Sequence, residues 1–332
     1  MIKDLIAGFP AQMKKAIEIG KTIQNITPKT DIRNVVIAGL GGSGIGANIV
    51  ENWLQDQLKV PVIISKTYNV PAFVNEHTLL IACSFSGGTE ETLTALEQAQ
   101  AQKTQVFAIS AGGKLIEKAK NEGFHFVQIP NEAPCPRAFL GYSLVQLLYT
   151  FKAHNLIDGF FEKSLENSIQ ILQTQLNDIQ EEAKKLANSA FKHHLLAYSN
   201  TIWSAILVRM QQQINENAKQ LAHTNVMPEM NHNELVGWGL SPETYQNHTL
   251  WLIKSNLDLP RVAKRMEICE PIFKQKAGKV IEIKPKGDTL IEQSFYLIHL
   301  FDWVSWYLSE LNQVDAFEID VINHLKNELA KF

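Results

Sequence analysis

Short apolar runs alternate with stretches of helical period along nearly the whole chain. In the first half, residues 34–38, 62–65, 79–82, 105–109 and 125–129 read as strands, while residues 47–58, a run opening at Leu93, and residues 114–121 read as helices. In the second half, strands fall at 195–198, 249–253 and 280–283, with helices over 202–221, 259–273, 290–311 and 319–329. Apolar strands alternating with helices pair in parallel and are covered on both faces, so the expected fold class is α/β with two similar domains in tandem. Residues 1–30 read as a helical arm, with Leu5, Ile6, Phe9, Met13, Ile17, Ile19 and Ile23 near helical spacing and Thr27-Pro28 closing the run. Residues 160–191 read as one long amphipathic helix or a helix pair, with Leu165, Ile169, Leu172, Leu176 and Ile179 on one face. No glycine-rich linker separates the halves, which puts the domain boundary inside ordered structure near residues 151–160.

Two polar turns interrupt this pattern where strands give way to helices. In Cys83-Ser84-Phe85-Ser86-Gly87-Gly88-Thr89-Glu90-Glu91-Thr92, three hydroxyls and two glycines lie within six residues at a helix entry. Such a turn brings neutral donors and closely approaching backbone N–H groups to the positive end of a helix, which suits a phosphate dianion. It has no lysine and does not match the nucleoside-triphosphate P-loop; a polar turn that merely caps a helix fits these residues equally well. The second turn, Gly39-Leu40-Gly41-Gly42-Ser43-Gly44, formally satisfies a dinucleotide fingerprint. The next strand, however, ends in Lys66-Thr67 with no carboxylate for ribose hydroxyls, so only a 2′-phosphorylated cofactor meeting Lys66 stays open. The simpler expectation is that Gly42 and Ser43 join the hydroxyl-rich turn. A proline-stiffened loop, Ala133-Pro134-Cys135-Pro136-Arg137, then carries one arginine into an apolar helix, fit for an oxyanion or for an ordinary surface carboxylate.

Composition narrows the function classes. With 332 residues the chain suits two domains of roughly 150 residues each. A 45% apolar and 20% charged content is that of a globular protein, and a net charge of −3 with interspersed signs argues against a nucleic-acid surface. No apolar run approaches the roughly 20 residues that span a bilayer, and the first residues do not read as a signal peptide, so no membrane partner and a cytoplasmic location are expected. Cys83, Cys135 and Cys269 lie far apart beside apolar stretches, the pattern of buried free thiols rather than of a zinc site or a disulfide framework.

In the second half, 213–219 and 227–235 are too polar for core and too patterned for loop. Ile206, Met210 and Ile214 mark a buried helix stripe, and Glu216 lies about 200° round from Ile214, where a solvated carboxylate is the ordinary reading. Periodicity says nothing about His232.

Taken in order, Gly39-Leu40-Gly41-Gly42-Ser43-Gly44, Ser84 through Thr92, Pro136-Arg137, Asn215-Glu216-Asn217 and Pro228-Glu229-Met230-Asn231-His232-Asn233-Glu234 resemble the bifunctional phosphoglucose/phosphomannose isomerases of the sugar isomerase (SIS) domain superfamily. The resemblance covers nearly the whole chain, including the ending 315–326. It departs at Phe85, where tyrosine is commoner, at Gly88, where asparagine is commoner, and at Ala316, where proline is expected.

The resemblance implies two tandem SIS domains, 1–155 with the helical arm and 156–332 with the closing helices, each a doubly wound parallel sheet of flavodoxin-like type. It implies an aldose–ketose isomerase that interconverts glucose 6-phosphate or mannose 6-phosphate with fructose 6-phosphate, without cofactor or metal. Glu216 is implied as the base, His232 as the ring-opening acid/base supplied by a partner subunit of a homodimer with a shared active site, and Lys326 as its helper. Arg137 would face the enediolate, and Gly42, Ser43, Ser84, Ser86 and Thr89 would hold the 6-phosphate. A sugar-phosphate sensor without catalysis, or an isomerase of another phosphosugar, would share the cup but differ in its use of Glu216, His232 and Arg137 or in its substrate.

Overall fold

Strands as apolar as residues 79–82 must lose water from both faces, and the chain achieves this with two all-parallel sheets. The computed structural model describes residues 2–133 and 135–331. Its first elements are α1 (Ile2–Ala7), α2 (Phe9–Gly20), β1 (Asn34–Ala38), α3 (Gly41–Leu54), β2 (Val62–Ser65), β3 (Thr78–Cys83), α4 (Glu90–Ala101) and β4 (Gln105–Ser110). These lead to α5 (Gly113–Glu122), β5 (His125–Gln128), α6 (Leu140–Ala153) and α7 (Phe161–Thr174). The chain continues through α8 (Leu176–Ala190), β6 (His194–Asn200), α9 (Ser204–Ala218), β7 (Ala222–Met227) and the one-turn α10 (Glu234–Gly237). It ends with β8 (His248–Ile253), α11 (Pro260–Lys276), β9 (Lys279–Ile283), α12 (Leu290–Asn312) and α13 (Asp320–Leu329).

The chain forms two compact units, Gly8–Gln170, and Ile171–Phe332 together with Met1–Ala7. The division falls inside α7, later than the boundary expected near residue 155. The arm also differs from the single helix read from its spacing. It breaks at Gly8, and α1 belongs to the second unit, where Ile2 and Ile6 are buried and Lys3 Nζ lies 5.0 Å above the Trp306 ring. α2 stops at Gly20, short of Thr27-Pro28, because the chain then runs out to accept a backbone pairing, Ile26 N–H donating to Ala153 O at 2.7 Å.

In the first unit the strand order is β2-β1-β3-β4-β5, the flavodoxin-like order. Every residue of β3 is buried, and Val36, Leu80, Leu96, Val106 and Leu115 pack one face of the sheet against α4 and α5. The second unit repeats the arrangement with four strands, β7-β6-β8-β9. β7 escaped the hydropathy pattern: Ala-His-Thr-Asn-Val-Met is an edge strand, half exposed, and only its last residue is buried. An edge strand covered on one side needs no continuous apolar run.

α12 runs for 23 residues and opens on a capping box formed by Thr289 and Glu292. It is buried along most of its length, yet none of the helices described is long and apolar enough to cross a membrane. Three of its polar contacts go to α9: Arg209 Nη2 lies 3.3 Å from Asp302 Oδ1, Gln213 Nε2 donates to the same oxygen at 2.7 Å, and Asn217 Nδ2 donates to Ser305 Oγ at 2.9 Å. The three cysteines are buried and form no disulfide, and burial pushes the Cys83 thiol up to about 12.

Removing the acceptor shared by Arg209 and Gln213 takes a buried charge-assisted contact from each of them. Asp302→Ala is therefore expected to lower stability by about 3–5 kcal/mol, measured by urea unfolding; an unchanged midpoint would show that the ion pair contributes nothing.

Candidate active site

β1 and β3 pair directly, Ala38 opposite Ala82, although the chain visits the outer strand β2 between them. This is the switch point of the sheet, where connections leave to opposite sides and a crevice opens at the carboxyl ends. Both polar turns lie there. α3 begins at Gly41, three residues past the end of β1, and α4 begins at Glu90 after the turn that follows β3. Two helix N-termini on strands about 4.8 Å apart thus face the same crevice.

Hydroxyls line the turn. Ser84 is buried, its Oγ lies 2.8 Å from Thr89 Oγ1, and it accepts the Gly87 N–H at 3.1 Å, so it orders the turn from within. Ser86 is exposed and accepts the Gly88 N–H at 3.3 Å, while Ser43 is half-buried in the first turn of α3. Close packing fixes two glycines. Gly87 has φ +68°, and a methyl there would meet Gly112 O at 1.7 Å; one at Gly44 would meet Gly39 O at 2.6 Å. The loop after β4 and the first turn of α5 brace the turn, with Ala111 N–H donating to Phe85 O at 3.0 Å and Leu115 N–H to Gly87 O at 2.9 Å. Lys66, left open above for a 2′-phosphate, is instead hydrogen-bonded to Asn48 of α3.

Arg137 lies beside this cup in a short 3-10 turn, Pro136–Phe139, and only 6% of it is exposed. The turn adjoins the start of α3: a methyl on Gly42 would approach Pro136 O to 3.9 Å. Phe85 stacks on Phe139 at 5.5 Å, tying the hydroxyl turn to the arginine turn. Gln12 of α2 holds the same segment, donating to Ala138 O at 2.9 Å and accepting the Gly141 N–H at 3.0 Å. Gln12 carries no sequence signal, because its partners are backbone groups more than 120 residues away.

In the second unit Glu216 occupies the last turn of α9, half-buried rather than fully solvated, between the buried Ile214 and Asn217. Lys219 follows in a left-handed conformation, φ 55°. Its ammonium donates to Glu216 O at 2.9 Å, Asp315 O at 2.8 Å and Glu318 O at 2.7 Å, tying the end of α9 to the segment that enters α13. α13 carries Lys326 and is exposed throughout its described length; Val321, Ile322, Leu325 and Leu329 leave an apolar stripe uncovered.

His232 ends a 3-10 turn, Glu229–His232, and is exposed with no hydrogen bond among the described residues. Its neighbours are tethered. Met230 is fully buried, Asn231 Oδ1 lies 3.5 Å from Arg265 Nη1, and Asn233 Nδ2 donates to Glu229 Oε1 at 3.1 Å. Glu234 accepts hydrogen bonds from Tyr198 and Asn225, and His223 Nε2 lies 3.0 Å from both its oxygens. Burial pushes the Glu234 carboxyl up, but the hydrogen bonds from Tyr198, Asn225 and His223 outweigh it and hold the group below the usual carboxylate range. Among the described residues, no group of three or more His, Cys, Asp or Glu side chains is placed to hold a metal ion.

Comparison with known proteins agrees with this layout. A SIS domain model matches residues 30–146, and a model of the bacterial phospho-glucose isomerase C-terminal SIS domain matches residues 179–329. A bifunctional phosphoglucose/phosphomannose isomerase of Caldicellulosiruptor bescii is 36% identical over 98% of both chains, and one of Aquifex aeolicus is 34% identical over 91% of this chain and 92% of its own. The chain belongs to the bifunctional phosphoglucose/phosphomannose isomerase family. Among solved structures, the C-terminal domain of the Francisella tularensis glucosamine-fructose-6-phosphate aminotransferase superposes with a TM-score of 0.76 at 13% identity, over 95% of this chain and 96% of its own, a likeness of fold. The tandem SIS architecture expected from sequence is thus shown, and membership of the isomerase family displaces the nicotinamide reading of the glycine turn.

The Glu234 cluster has a signed consequence. A carboxyl held below its unfolded value contributes stability that is present above the ordinary carboxylate range and is lost as pH falls through the depressed folded value. Glu234→Gln should therefore flatten the acid limb of stability against pH, measured by urea unfolding between neutral pH and pH 3. An acid limb identical to that of the unsubstituted protein would show that the carboxylate is not held in this way.

Proposed function

We propose that the chain interconverts glucose 6-phosphate and mannose 6-phosphate with fructose 6-phosphate through a cis-enediolate. The observation that carries this reading is the hydroxyl-rich cup at the switch point of a chain whose relatives along its whole length are bifunctional isomerases. The 6-phosphate sits in the cup of Gly42, Ser43, Ser84, Ser86 and Thr89, and its binding energy positions the reacting carbons, which are remote from it.

The open aldose loses its C2 proton to the Glu216 carboxylate, and the electron pair moves to form the enediolate. Glu216 returns a proton at C1 while the proton of the C2 hydroxyl passes to the oxygen on C1, leaving a ketone at C2 and a hydroxyl at C1, so atoms and charge balance without an outside reagent. Arg137, buried beside the cup, faces the developing oxyanion, where a guanidinium in a dry setting is strongest. His232 moves the proton that opens the sugar ring, with Lys326 assisting. Because C2 is planar in the enediol, rotation about C2–C3 before reprotonation presents either face, and one base serves both epimers.

The same reading makes the protein a cytoplasmic homodimer in which the partner subunit supplies the histidine. The uncovered apolar stripe of α13 beside Lys326 and the outward-facing His232 support this arrangement.

The test is proton NMR of fructose 6-phosphate incubated with the protein in heavy water. Glucose and mannose 6-phosphates deuterated at C2 are expected; an unchanged spectrum with bound sugar phosphate would sink the isomerase and favour a sensor. In the same assay Glu216→Gln should lower turnover by at least about 10³-fold with binding retained. Most of the turnover surviving that substitution would remove Glu216 from the role of base.

A further inference from the structure

The turn that presents His232 is anchored at its start by the buried Met230 and by Asn231 beside Arg265, and its far side by Glu234. α10 is a single helical turn with no buried residue, and only Asn231, His232 and Asn233 separate the buried Met230 from Glu234. Glu234 is nevertheless held by groups drawn from two strands. Tyr198 of β6 and Asn225 of β7 are register partners, and His223 lies two residues earlier on the same face of β7. All three direct hydrogen-bonding atoms at one carboxylate: Tyr198 Oη to Oε1, Asn225 Nδ2 to Oε2, and His223 Nε2 to both.

Behind them, Tyr198 is fully buried, and its hydroxyl accepts the Trp238 indole N–H at 3.3 Å. Trp238 in turn packs on Tyr245 and Phe273 with ring centroids 5.1 and 5.3 Å apart. A half-exposed glutamate usually finds one lysine and contributes little. This one is the outer end of a chain of contacts that begins in the core.

We propose that Glu234 is a positioning residue: clamped to the sheet by Tyr198, Asn225 and His223, it fixes the turn that aims His232 at the sugar ring. The inference rests on the ring-opening role assigned to His232. The clamp and the buried Met230 pin the three intervening residues from both sides, so His232 keeps its direction although its own side chain is unsupported. Glutamine at 234 has the right shape but presents an amide N–H₂ to donors that need an acceptor, and the turn is released. A displacement of about 1 Å at a catalytic group costs on the order of 10²-fold in rate.

The experiment compares fructose 6-phosphate with 5-deoxyfructose 6-phosphate, which lacks the hydroxyl that closes the furanose ring and so needs no opening. Deuterium uptake at C1 in heavy water is followed for the unsubstituted protein, Glu234→Gln, Tyr198→Phe and His232→Ala. Expected for Glu234→Gln is a loss of about 10- to 100-fold in kcat on fructose 6-phosphate, with KM within about twofold and exchange of the open analogue within about twofold. Tyr198→Phe, which keeps the packed ring and deletes only the hydroxyl, should show the same selectivity with a smaller loss, and it keeps the test valid should Glu234→Gln fail to fold. Selective loss in His232→Ala but in neither clamp variant overturns the clamp alone. Equal losses on both substrates in His232→Ala overturn the ring-opening reading, and the clamp with it.

Discussion

The direct pairing of β1 with β3, with β2 displaced to the outside, is the constraint from which the crevice with its hydroxyl-rich turn follows. It puts the entries of α3 and α4 on adjacent strands, so backbone dipoles and hydroxyls address one crevice. The rest of the first unit serves to keep that crevice rigid. Ser84 Oγ accepts the Gly87 N–H and so orders the turn, Gly87 lets the loop after β4 approach to contact, and Phe85 against Phe139 ties the arginine turn to the cup. A site made of neutral donors works only if they are fixed in advance, since mobile ones would have to be ordered by the ligand at its own expense in affinity.

The second unit solves a related difficulty by other means. Its candidate residues lie on a helix end, a short turn and a solvated helix, none of which is rigid by itself. Each is tied by polar groups. Arg209, Gln213 and Asn217 fasten α9 to α12, Lys219 links the carbonyl of Glu216 to the approach of α13, and Glu234 fastens the His232 turn to the sheet. A buried ion pair such as Arg209–Asp302 adds little net stability, but breaking it leaves an uncompensated group, so it selects a single arrangement over its neighbours.

By itself the sequence determined the parallel sheets, their tandem repetition and the two polar turns at strand ends. Burial on both faces demands the continuous apolar runs 35–38, 79–82 and 250–253. The order of motifs also carried the family. Other features were decided only in three dimensions. β7 is an edge strand and needed no apolar run; α1 joined the second unit because Ile2 and Ile6 found α12, which its spacing cannot foretell; and Glu216 proved half-buried although its angle on the helix pointed to water. Gln12, Lys219 and the Tyr198–Glu234 contact were invisible for one physical reason. Their partners are backbone carbonyls and amides, or side chains tens of residues away, and any residue type offers the first while only the folded chain supplies the second.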